Sequence, residues 1–208
     1  MLKQNPLIIV IALGITALLA GLFLFQTTRP DPPQLLSATL YPSDFRPLAH
    51  FELTDQTGQL FSKNQLRGKW SVLFFGYTYC PDVCPMTLTM MNQINHKLEQ
   101  RATSIQTIFV SVDPDRDTSV RLQDYLTFFN PKFIGLTDTT PDHNEIKKLT
   151  TSLGVFYSRP DSQQSKNYLV DHSAGIFLIN PDARAHALFS APHHAETIAQ
   201  DIFNIINL

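Results

Sequence analysis

Cysteine is scarce in this chain. Two occur in 208 residues, Cys80 and Cys84, within one five-residue window. A disulfide-stapled secreted domain is excluded, because such scaffolds are dense in cysteine. A bridge between these two would also close almost no loop, so chain entropy gives it little to contribute. Charge is scarce as well: Asp, Glu, Lys and Arg make up 16% and the net charge is −2. No basic footprint for nucleic acid exists, and no internal repeat is present. What is there is 43% hydrophobic residues, which suits a globular domain with one apolar segment added.

That segment is 7–25, LIIVIALGITALLAGLFLF, 19 residues without a charge. At 1.5 Å per residue it matches the roughly 30 Å hydrocarbon core of a bilayer. A cleaved signal peptide usually has a shorter apolar region of about 7–15 residues and a small-residue cleavage site. Gln26-Thr27-Thr28-Arg29-Pro30 offers no such site, and Leu22 stands where a lipoprotein signal needs cysteine. The reading is an uncleaved transmembrane anchor at 7–25 behind a short tail at 1–6. Lys3 and the amino terminus precede the span, and Arg29 is followed by Asp31. This weak bias favours a cytoplasmic N-terminus. The rest of the chain is then expected in the periplasm, on the bacterial inner membrane. Residues 26–47 carry Pro30, Pro32, Pro33, Pro42 and Pro47, and read as a partly extended linker.

From residue 48 to 208 strand and helix signals alternate. Residues 50–53 and 59–61 flank Asp55-Gln56-Thr57-Gly58 as a hairpin, and 70–76 is a short apolar run that reads as a buried strand. Leu88, Met91, Ile94 and Leu98 form a helical stripe across 85–100. A strand is expected at 105–112, a helix after Asp117-Thr118, and a strand at 133–136. A further helix runs from about 141 and ends at Gly154, a suitable C′ glycine. Residues 175–180 and 184–190 flank Pro181-Asp182-Ala183 as a second hairpin, and a last helix starts near His194. The expected class is α/β, a sheet covered by helices. A strand leading to paired cysteines at a helix start, closed by a hairpin and a helix, is the thioredoxin-like pattern. The hairpin before it points to the peroxiredoxin-like branch.

The cysteines lie in Tyr79-Cys80-Pro81-Asp82-Val83-Cys84-Pro85. Proline favours the first helical position and disfavours helix in its predecessor. Cys84 is thus expected to cap the helix, with Cys80 on the turn before it. Both thiols are expected to be accessible and favoured as thiolates by the helix dipole. Thioredoxin oxidoreductases use C-x-x-C, whereas three residues intervene here, giving the sulfurs room to converge on a metal. Paired thiolates suit Cu(I) or Zn, but two ligands are too few. Seven histidines compete for third place. His96 lies on a helix, His193-His194 at a turn, and His50, His143 and His186 have no cysteine-facing context. His172 precedes the C-terminal hairpin, where a thioredoxin fold carries a cis-proline against the cysteine turn. Met86, Met90 and Met91 read as helical core.

Cys-Pro-Asp-Val-Cys-Pro after an aromatic strand, Ser111-Val-Asp113-Pro-Asp-Arg116-Asp117, and Val170-Asp171-His172-Ser173 occur in that order. In this the chain resembles the Sco/SenC family over about residues 45–205. The resemblance implies a copper protein that assists assembly of the dinuclear copper centre of cytochrome c oxidase. It maps Cys80, Cys84 and His172 onto copper ligands for Cu(I), Cu(II) or both. The implied partners are the copper-bearing oxidase subunit, a copper donor protein and a thioredoxin-like reductant. It suggests supporting roles for Asp113, Arg116 and Asp171, of which Asp171 could orient a ligand. The plainer reading of 113–117 is a turn that caps the next helix through Asp117 or Thr118.

Two other activities compete with a non-enzymatic chaperone. The same cysteines could serve a thiol–disulfide oxidoreductase that keeps the oxidase cysteines reduced. A peroxidase is disfavoured, since Tyr77 and Leu73 stand where a peroxiredoxin needs Thr or Ser and Pro.

Overall fold

A computed structural model describes residues 6–27, 34–42, 47–159 and 168–207, with side chains of 10–24 in the first helix. The chain divides into two compact units, Met1–Gln34 and Leu35–Leu208. The first contains α1 (Pro6–Thr27), 22 residues long. Among the described residues no helix is long and apolar enough to cross a membrane. Residues 1–5 of the expected tail at 1–6, and Pro30, Pro32 and Pro33 of the linker, lie outside the described residues, while Pro6 opens α1.

The second unit is a mixed α/β domain. Its strands are β1 (Ala38–Leu40), β2 (Glu52–Asp55), β3 (Leu60–Ser62), β4 (Ser71–Gly76) and β5 (Gln106–Ser111). They continue with β6 (Ile134–Thr137), β7 (Tyr157–Ser158), β8 (Asp171–His172), β9 (Ile176–Ile179) and β10 (Ala185–Phe189). Eight form one sheet in the order β1-β10-β9-β4-β5-β6-β2-β3, and β7 pairs with β8 apart from it. β4 is parallel to β5 and antiparallel to β9. All six residues of β4 are buried, as a central strand covered on both faces requires. The arrangement fits the thioredoxin-like expectation in general form.

The helices are α2 (Val83–Glu99), α3 (Ser119–Thr127), α4 (Asn144–Leu153) and α5 (Ala195–Ile206). The helical stripe of α2 is the buried one: Leu88, Met91, Ile94 and Leu98 are each at most 1% exposed. Gly154 closes α4 in the left-handed region at φ 71°, a conformation glycine adopts without a Cβ clash.

Two expectations shift. α2 begins at Val83 behind Asp82, so Cys84 is the second helical residue rather than the cap. The stretch read as linker contributes β1, paired antiparallel with β10. Its burial shows no inside–outside alternation, so periodicity carried no strand signal. A distant side chain holds it instead. The buried carboxylate of Asp201 accepts from the backbone N–H groups of Leu36, Ser37 and Ala38 at 2.7–2.8 Å. It also accepts from the Ser37 hydroxyl at 3.0 Å.

Candidate metal centre

The parallel strands β4 and β5 end side by side, and the loops leaving them build the site, where ligands gather in open α/β sheets. The Val112 N–H donates to the Gly76 carbonyl at 2.9 Å. Beyond Gly76 the chain turns through Tyr77, Thr78 and Tyr79, closed by the Cys80 N–H on the Tyr77 carbonyl at 3.2 Å. Asp117, fully buried, ties this turn to the end of β5. It accepts from the Thr78 N–H at 2.9 Å, from the Thr78 hydroxyl at 2.6 Å and from the Ser111 hydroxyl at 2.6 Å. Burial raises its carboxyl above the ordinary Asp range, against these three donors, which lower it. Thr118, not Asp117, caps α3, its Oγ1 accepting from the Arg121 N–H.

Cys80, Cys84 and His172 come together. One ligand atom from each lies within 4.8 Å of the others. Among the described residues this is the one such group of three or more His, Cys, Asp or Glu side chains. Cys80 is half-buried and Cys84 fully buried, and neither is in a disulfide. The Cys84 N–H points at Cys80 Sγ, 3.4 Å away. Gly76 makes room for the deeper sulfur: a Cβ there would sit 2.8 Å from Cys84 Sγ and 2.8 Å from the Phe109 ring. The expectation of two accessible, thiolate-prone cysteines is corrected at Cys84. Burial pushes its thiol well above the ordinary range, outweighing the backbone hydrogen bonding that lowers it. Sequence spacing locates a helix start but says nothing of depth.

His172 sits in β8, which pairs with β7, Tyr157 opposite His172. Its Nδ1 lies 3.1 Å from the Ser173 carbonyl. A carbonyl oxygen only accepts, so Nδ1 carries the proton and Nε2 keeps its lone pair. Nε2 faces Cys84 Sγ at 3.6 Å. Burial lowers the imidazole pKa, which keeps the ring neutral. Tyr77 and Phe74 meet the ring edge-on, at centroid distances of 6.0 and 6.4 Å. The Ser173 carbonyl, rather than Asp171, orients the imidazole, in the way outer partners orient metal-binding histidines.

Four of the other six histidines have partners elsewhere. His143 bonds Asp115, His96 bonds Gln100, His193 bonds the Ala174 carbonyl, and His186 packs on Trp70. Met91 is core, as read from its helical position, and Met90 packs against the core, whereas Met86 is 66% exposed. Asp113 is fully buried, paired with Arg116, and accepts from the Tyr168 hydroxyl at 2.6 Å. Burial and that carboxylate hold the Tyr168 phenol up at about 12. Thr78 and Tyr168 carry no sequence signal of belonging here, since each acts through a partner on another loop.

A family profile described as SCO1/SenC matches residues 42–207. A SCO2-like protein of Rickettsia felis is 34% identical over 185 residues, 88% of this chain and 89% of that protein. The solved structure of Bradyrhizobium japonicum ScoI with copper bound is 35% identical, with a TM-score of 0.67 over 76% of this chain and 98% of that one. Arabidopsis thaliana ScoI with copper bound is 32% identical, with a TM-score of 0.70 over 77% and 99%. With a profile that spans most of its length and relatives that share a third of its residues, this chain belongs to the SCO1/SenC family.

Proposed function

We propose that this protein is a membrane-anchored copper metallochaperone that holds one copper ion through Cys80, Cys84 and His172. It then serves assembly of the dinuclear copper centre of cytochrome c oxidase. The observation that carries the reading is the convergence of two sulfurs and one imidazole within 4.8 Å, with the Nε2 lone pair turned toward Cys84. Two soft sulfurs and one nitrogen suit copper, Cu(I) above all. The copper-bound relatives support the same cargo.

Loading displaces the Cys84 thiol proton, because a thiolate is the ligand. Burial that makes this thiol a weak acid makes loading release a proton and weaken in acid. His172 needs no proton removed, being held neutral. Half-buried Cys80 offers the accessible edge at which an acceptor's ligand could enter and exchange.

The apolar run 7–25 and the helix Pro6–Thr27 support a single-pass anchor. We place residues 48–208 on the periplasmic side of a bacterial inner membrane, on the tether 26–47, as a domain of the peroxiredoxin-like branch. The partners in this reading are the copper-bearing oxidase subunit, a copper donor and a thioredoxin-like reductant that keeps the cysteines reduced.

Anaerobic copper titration of the reduced chain in detergent tests the assignment. One equivalent is expected to bind tightly. Cys80→Ser, Cys84→Ser and His172→Ala are each expected to weaken it by more than about a hundredfold, beyond the loss from removing an outer partner alone. Wild-type affinity in His172→Ala would overturn the three-ligand site. The thiol–disulfide alternative is favoured by the closeness of the two free sulfurs. The raised Cys84 thiol opposes it, since a thiolate is the attacking species. Vigorous exchange by metal-free His172→Ala would favour it.

A further inference from the structure

Arg116 is an enclosed cation beside the three converging side chains. Its side chain is 14% exposed and is ion-paired through Nε with Asp113, whose carboxylate is fully buried. Its guanidinium carbon lies 3.6 Å from the Tyr168 ring centroid, 4.7 Å from that of Tyr79 and 5.7 Å from that of Tyr77. The second Asp113 oxygen takes the Tyr168 hydroxyl. The guanidinium is thus fixed along one edge by a carboxylate and surrounded by three rings.

Two of those rings lead directly to the site. Tyr79 precedes Cys80 in the chain, and its other cationic neighbour is Arg121, 4.9 Å from the ring. Arg121 also donates through Nε to the Thr78 hydroxyl at 3.2 Å. Tyr77 meets the His172 ring edge-on at 90°. The Asp113 carboxylate largely cancels the charge of Arg116, so a long-range electrostatic role is weak. What the stack retains is position. Cys80 lies on a turn and is half-exposed, and a ligand on a turn is held less firmly than one on a helix such as Cys84.

We propose that Arg116 is a positioning residue for the copper site, clamping Tyr77 and Tyr79 so that the Cys80 sulfur and the His172 ring keep their convergence. The role rests on the copper reading above. It sets how long copper is held and how regular its coordination is. The motif Asp113-Pro114-Asp115-Arg116-Asp117 thereby acts on the site by two routes, Asp117 through Thr78 and Arg116 through the tyrosines.

The test uses the full reduced chain in detergent, loaded with Cu(I) or Cu(II). Cu(I) release to a chromogenic chelator is timed, and the thiolate-to-Cu(II) charge-transfer band is recorded. Arg116→Lys keeps the charge and the pairing with Asp113 but loses the planar stack. It is expected to release Cu(I) about tenfold faster, the scale of one desolvated cation–π contact, and to shift or broaden the band. Arg116→Ala is expected to do the same more strongly. Asp201→Ala, which loosens β1 and touches no part of the site, is expected to lower the melting temperature and move neither readout. Wild-type release and an unchanged band in both Arg116 variants would overturn the proposal. Should Arg116→Ala fail to fold, Tyr79→Leu decides, since Tyr79 is 50% exposed. Faster release supports the clamp and wild-type behaviour sinks it. An unmodified chain that takes up no copper removes the copper reading itself, an outcome distinct from intact loading with insensitive Arg116 variants.

Discussion

Asp117 and Asp201 are both fully buried, and each gathers several backbone and hydroxyl donors. Asp117 works at the ends of the central strands β4 and β5, where it ties Thr78 to Ser111. Asp201 works under the edge strand β1, where it satisfies three consecutive backbone N–H groups and one hydroxyl. The chemistry of holding is the same, and the consequence differs by what is held. At the edge the anion fixes a strand of three residues that has no apolar alternation of its own. At the centre it fixes the turn from which Cys80 projects. Stability alone rests on the first, and both stability and the convergence of Cys80, Cys84 and His172 on the second.

The comparison predicts its largest effect at the edge. Asp201→Ala leaves three N–H groups and a hydroxyl without their acceptor. Hydrogen bonds to a charged group contribute about 1.5–3 kcal/mol each, and partial hydration of an edge strand offsets much of their sum. A net loss of about 3 kcal/mol is expected, or roughly 6–12 °C in melting temperature for a domain of this size. Copper affinity should stay within about twofold. Asp117→Ala should lower both. A fall in copper affinity for Asp201→Ala, measured by chelator competition, would erase the distinction between the two regions.

Gly76→Ala sharpens the central half of the comparison. The added methyl would stand 2.8 Å from both Cys84 Sγ and the Phe109 ring, closer than such contacts allow. Overpacking of this kind costs about 1–3 kcal/mol. The sulfur must shift to relieve it, so a weaker and spectrally altered copper complex should accompany the loss of stability. The same substitution at Gly14 or Gly58 would meet nothing within 4 Å, although Gly58 carries the strain of its φ of 81°.

How much of this was legible beforehand follows from where each signal resides. β4, β5 and α2 announce themselves by apolar runs and a helical stripe, and they set the domain. Cys80 and Cys84 stand out by rarity and by Pro85. His172 does not stand out among seven histidines; only the fold pattern and the family resemblance single it out. The structure then separates it by the Ser173 carbonyl at Nδ1 and Cys84 at Nε2. β1 is illegible because it pairs with the distant β10 and because its anchor, Asp201, lies more than 160 positions away in the chain. The two-residue ladder of β7 and β8 is too short to carry a period. The burial of Cys84 has no local signal, because a helix start is a local feature and depth is a tertiary one.

The smallest effect expected concerns two histidines, one in each region. Burial lowers the pKa of His172 at the site and of His186 near the β1 edge, the latter packed edge-on against Trp70 at 5.2 Å. In the unfolded chain both titrate near 6.5. A depressed folded pKa means that the unfolded state binds protons first as pH falls. Each histidine therefore contributes stability that is present above about pH 6.5 and is lost as pH drops toward its folded pKa. Melting temperatures of the metal-free chain should decline across that window, and His186→Gln should flatten the decline in part. Copper loading should act differently on the two. A ligated His172 resists protonation until the metal leaves, so the loaded chain should keep its His186 component and replace the His172 component with a loss at more acidic pH. If loading left the pH profile between 7 and 5 unchanged in both wild type and His186→Gln, the imidazole at the site would not be a ligand. The two regions would then differ only in what they hold in place.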